Sequence, residues 1–97
     1  MPARRAKVLV LPAELTHEHA TACSRMLAQA LRSQPETHVV VDAGALGRFD
    51  SSALAVLLES RREALALGKT LSVSRMPARL RDLAALYGVA DLLPSVA

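Results

Sequence analysis

A chain of 97 residues has room for one hydrophobic core and none for a separate catalytic lobe, so one domain over residues 1–97 is expected. It is 52% apolar, yet Phe49 and Tyr87 are its only aromatics, so the core must be built from Leu, Val and Ala, which argues against a nucleic-acid reader that stacks bases on rings. The net charge of +3 is dispersed over Arg4, Arg5 and Lys7, then Arg61 and Arg62, then Arg75, Arg79 and Arg81, the pattern of a solvated surface rather than a nucleic-acid footprint.

The start, MPARRAKVLVLPAEL, sets basic residues before VLVL as a secretion signal would. Pro12 and Glu14 stop the apolar stretch too early, and it reads as a strand behind a charged tail. No segment approaches the roughly 20 apolar residues of a membrane span, so any work at a membrane requires another subunit to hold the chain there. Residues 16–34 form the first helix, capped by Thr16, with Ala20, Cys23, Leu27, Ala30 and Leu31 on one face and Pro35 closing it. Cys23 is the single cysteine, which excludes an internal disulfide and fits a reducing compartment.

THVVVDAG reads as a second strand, with Val39, Val40 and Val41 consecutive and therefore expected to be covered on both faces. ALGRF is a loop. A helix then runs from about Asp50 to Leu67, with Gly68 at its end, an inward stripe of Ala53, Val56, Leu57, Ser60, Ala64 and Leu67, and Glu59, Arg61, Arg62 and Glu63 outward. KTLSVS alternates as a third strand. Pro77 opens the last helix at its first position, with Leu80, Leu83, Ala84 and Tyr87 inward and Gly88 at its end. The tail VADLLPSVA has no clear period, and Leu92 and Leu93 are expected to pack down before Pro94. Strands alternating with helices predict an α/β domain with a small, mostly parallel sheet and helices packed mainly on one face. In such sheets sites gather beyond the carboxyl ends of the strands, where the stretch from Asp42 to Asp50 lies.

Most catalytic readings fail on spacing. GKT at 68–70 lacks the earlier glycine of a phosphate loop, since Glu63 stands there, and it leads from a helix into a strand, the reverse of the required order. His17 and His19 are two apart and point to different sides of a helix, and His38 is distant, so no metal site is expected. Ser51 and Ser52 lack the flanking glycines of a nucleophile elbow, and Asp50 has no evident histidine partner. No cofactor is implied. Asp50 or one serine suffices to cap the helix, which leaves a hydroxyl over; a phosphate placed there would be tolerated by the local amides but would repel an acidic or apolar partner face, and so switch binding off.

The strand VVVDAGAL followed by FDSSALAVLLESRREALALGKTLSVSRMPARLRDLAALYGVADLLP resembles the STAS domain, from about Val8 to Pro94. That module occurs in anti-sigma factor antagonists, in sulfate-transporter tails and in the small cytoplasmic subunit of the Mla phospholipid ABC transporter. The resemblance implies a non-catalytic binding domain that presents Asp50, Ser51, Ser52 and Ala53 to a protein partner. In the sigma-regulating branch a partner kinase phosphorylates the second serine of DSSGL, which corresponds to Ser52. In the Mla branch the residue after the aspartate, here Ser51, lies against the transporter's ATPase, which sits with a membrane permease and serves outer-membrane lipid asymmetry. The ending LYGVADLLP is more similar to the Mla subunit, and Ala53 in place of the glycine weakens kinase recognition more than docking. The implied location is cytoplasmic, at the inner membrane through partner subunits. The family's usual first strand is reduced to MPARRA, which leaves a sheet edge open to self-association.

Overall fold

Parallel strands are built where short β-branched runs alternate with helices, and here they are Lys7–Val10 (β1), His38–Asp42 (β3) and Thr70–Ser74 (β5). The computed structural model describes residues 7–96; the charged stretch MPARRA lies outside the described residues, and among these β1 stands at one edge of the main sheet. Two two-residue strands, Glu14–Leu15 (β2) and Arg48–Phe49 (β4), pair with each other, and a last one, Ser95–Val96 (β6), follows the tail. The helices are His17–Ser33 (α1), Ser51–Ala66 (α2) and Ala78–Leu86 (α3). A single 3₁₀ turn, Ala90–Leu92, leads into β6.

The main sheet has the order β1-β3-β5-β6 and is parallel throughout. Register sets Leu9, Val41 and Val73 in one row on the inner face and Val10, Asp42, Ser74 and Val96 in one row on the outer face. Val39, Val41 and Val73 are fully buried, whereas Val8 and Val10 are 51% and 62% exposed and Val40 is only partly covered. The consecutive valines are therefore not sandwiched between helices on both sides as the sequence suggested: the helices cover one face, and the other is open over β1, although Ser72 near its centre is 3% exposed. The core joins the inner valines to Leu27 and Leu31 of α1, Leu54, Val56 and Leu57 of α2 and Leu80 of α3.

Several side chains differ from the sequence-based placement. Leu67 is 40% exposed because α2 ends at Ala66 and Leu67 has already left the helical register; Leu54, absent from the expected stripe, is buried instead. Tyr87 follows the last residue of α3 and is 59% exposed rather than inward. Pro77 stands at the cap position, one residue before α3 proper. Leu93 packs down at 3% exposure, but Leu92 on the 3₁₀ turn is 38% exposed. Gly68 and Gly88 take φ of 73° and 71° just beyond α2 and α3, the left-handed conformation that favours glycine where a helix stops.

Candidate functional site

At the carboxyl end of the sheet, Asp50 has extended backbone and its Oδ1 accepts a 2.8 Å hydrogen bond from the Ser52 N–H, which starts α2. Its other oxygen, Oδ2, accepts from the His17 N–H at 3.2 Å and lies 3.8 Å from His17 Nδ1. One carboxylate thus satisfies orphan amides of both α1 and α2 and ties the two helix starts together. The Ser52 N–H holds the Asp50 carboxyl below the usual carboxylate range; partial loss of hydration opposes this, and the Ser52 hydroxyl and His17 add to it.

The four residues singled out in the sequence take different positions here. Ser52 is half-buried beside Asp50, while Ser51 is exposed at the first position of the helix. Ala53 is fully buried, so it lies behind the surface and not on it. The hydroxyl left over from capping is therefore that of Ser51.

Three residues that sequence spacing did not single out hold this corner in place. Asp42, at the end of β3, accepts from the Gly44 N–H at 2.9 Å and from Arg75 Nε and Nη2 at 3.0 and 2.8 Å. Arg75 reaches it from a left-handed backbone conformation, φ 54°, and its guanidinium lies where a Cβ on Gly44 would fall, so only glycine fits there without displacing the arginine. The arginine pair and the Gly44 amide together hold the Asp42 carboxyl below its ordinary value. Arg79 of α3 donates to the Phe49 carbonyl at 3.2 Å, with its guanidinium 4.7 Å from the centre of the Phe49 ring. The loop that delivers Asp50 is thereby latched to β5 and α3. No local signal could reveal the two arginine contacts, because each joins residues at least 30 positions apart.

The other polar motifs have structural partners. Lys69 of GKT is 8% exposed, and its Nζ donates to the Leu31 carbonyl at 2.6 Å and to the Gln34 carbonyl. It closes the carboxyl end of α1, where a cation also complements the helix dipole. His19 Nδ1 accepts from the Thr16 N–H at 3.2 Å and caps α1 in place of the usual Glu or Gln of a capping box. Among the described residues no three His, Cys, Asp or Glu side chains stand together.

A parallel sheet covered on one face by helices defines a class of small α/β domain, and that fold recurs in solved structures. The anti-sigma factor antagonist SpoIIAA in its unphosphorylated form superposes with a TM-score of 0.75 at 20% identity, over 100% of this chain and 84% of the other. The Bacillus cell fate determinant SpoIIAA in its phosphorylated form gives 0.70 at 20% identity, over 100% and 87%. A sulfate transporter family protein from Wolinella succinogenes gives 0.68 at 14% identity, over 91% and 70%. At these identities the likeness is one of fold. Residues 3–94 match the family model described as "Mlab, STAS domain", and the chain belongs to that family of STAS domains. No curated relative matches the sequence.

Proposed function

We propose that the chain is a non-catalytic STAS subunit that binds and regulates or stabilises the ATPase of an Mla-type phospholipid transporter, using the Asp50–Ser52 corner as its contact. The observation that carries this reading is the surplus: Asp50 already satisfies the helix start, yet Ser51 adds an exposed hydroxyl at the same place. Such a hydroxyl suits a docking contact and is open to a partner. The match to the Mlab family model supports the transporter branch. Among the described residues no helix is long and apolar enough to cross a membrane, which accords with a domain held at the inner membrane, on its cytoplasmic side, by the ATPase and its permease.

The test is co-purification with an Mla-type ATPase of the same genome. Wild type is expected to retain the ATPase, and the double variant Ser51→Glu, Ser52→Glu to lose it; full retention by the double variant would remove this corner from the interface.

A second reading, an anti-sigma factor antagonist phosphorylated on Ser52 by a partner kinase, is favoured by the fold shared with SpoIIAA. Ser52 is the half-buried serine held beside Asp50, which makes it the less accessible acceptor of the two. Incubation with ATP and the candidate kinase, followed by mass spectrometry, separates the readings. Phosphate on Ser52 supports the second, and an unmodified chain that still binds the ATPase supports the first.

A further inference from the structure

The outer surface of α2 is less polar than its sequence suggests. Ser51, Ala55 and Leu58 follow one another at helical spacing, with Ala55 exposed and Leu58 only partly covered. Beyond the end of α3, Tyr87 is 59% exposed, and Leu86 beside it is 77% exposed. Between the two helices lies an open hollow of about 340 Å³, lined by Ser51, Leu54, Ala55, Leu58, Tyr87 and Val89, without a charged side chain. That volume is at the small end for a ligand pocket and the hollow is not enclosed, so it suits a side chain carried on a larger partner better than a free small molecule. Its first lining residue is the surplus serine of the capped corner. Arg79 of α3 is anchored on Phe49, two residues before Ser51, through one N–H. Among the described residues it has no carboxylate within ion-pair distance.

We infer that this hollow is the socket for a bulky apolar side chain on an amphipathic helix of the partner ATPase, with a neighbouring carboxylate of that helix meeting the Ser51 hydroxyl and the Arg79 guanidinium. The inference rests on the docking function proposed above and adds the chemistry of the partner's contact. Three features select this occupant. The hollow is continuous with the serine corner, its walls are apolar with an aromatic at one side, and a cation without a carboxylate partner among the described residues is held at Phe49, two positions before the serine. Helix-in-groove recognition uses this combination: an apolar anchor gives most of the affinity and a flanking charge fixes orientation. A negative group on Ser51 would repel the incoming carboxylate, so the same geometry makes the corner sensitive to phosphate.

The test measures the affinity of the full chain for the Mla-type ATPase by calorimetry. Ala55→Arg fills the hollow from an exposed position, and binding is expected to weaken about 30-fold; Tyr87→Ala removes one wall and is expected to weaken it about tenfold. Arg79→Gln is expected to weaken binding most at low salt, with the difference shrinking as salt rises. Val10→Lys, on the open face of the sheet at 62% exposure, is the control and should bind as wild type. Thermal melts of Ala55→Arg and Tyr87→Ala should coincide with wild type, because both positions are exposed. Affinities of these two variants within about twofold of wild type would overturn the socket. If Ser51→Glu abolishes binding under the same conditions, the corner stands and the socket alone falls. An ATPase that does not bind wild type overturns both.

Discussion

Replacing Lys69 with Met separates a structural lysine from a phosphate-binding one. The substitution keeps most of the length and volume of the side chain but deletes the ammonium that donates to the Leu31 and Gln34 carbonyls. Hydrogen bonds to a charged group contribute about 1.5–3 kcal/mol each, and the two carbonyls lose their partner in a poorly hydrated place. Against this, the variant no longer removes an ammonium from water, a penalty of several kcal/mol that offsets much of the gain. The net expectation is a loss of about 2 kcal/mol. For a domain of this size that lowers Tm by roughly 8–16 °C. Differential scanning calorimetry at neutral pH reads the change directly, with urea unfolding as a check that the transition remains two-state. A Tm within about 2 °C of wild type would refute the capping role. The same instrument addresses the rejected phosphate loop, since ATP should leave the wild-type Tm unchanged if no nucleotide binds.

Acid should destabilise the domain through Asp42 and Asp50, both held below the 3.8 of a free carboxyl by Arg75 and by the Ser52 N–H respectively. A depressed folded value contributes stability that is complete above about pH 5 and is lost as pH falls through 3.8 and below; urea midpoints across that range should show it, more shallowly in Asp50→Asn. Gly68→Ala and Gly88→Ala should each cost about 1 kcal/mol, and nearly the same amount as each other, because both glycines have positive φ and nothing within 4 Å of the added methyl. Unequal losses in chemical denaturation would show that a contact, and not the backbone, sets the cost. Burial pushes the Cys23 thiol up, so a thiol reagent should modify it at a rate limited by opening of α1, and fast labelling of the folded protein would contradict its place in the core.

The elements legible in the sequence are those long enough to carry a period. The stripe from Cys23 through Leu27 to Leu31 located α1, and the runs around Val39 and Leu71 located the central strands. Asp50 was legible as a cap because capping is local. Strands β2 and β4 have two residues each, too few for any alternation, and are fixed by pairing with each other. The latch of Asp42 with Arg75 and the anchoring of Arg79 on Phe49 join residues brought together only by the parallel crossover, so the arginines read in sequence as dispersed charge. Continuing the period of α3 past its end places Tyr87 inward. The chain had already turned there to reach Gly88, and that turn exposed the ring which now walls the hollow.

The start of α2 is the surface proposed to meet the partner. Hydrogen–deuterium exchange of the full chain, alone and saturated with the Mla-type ATPase, tests that contact most directly. Added protection is expected over residues 50–58 and around Tyr87, with strand β1 unchanged. Protection confined to β1 and the outer face of the sheet, with residues 50–58 exchanging as in the free chain, would contradict it.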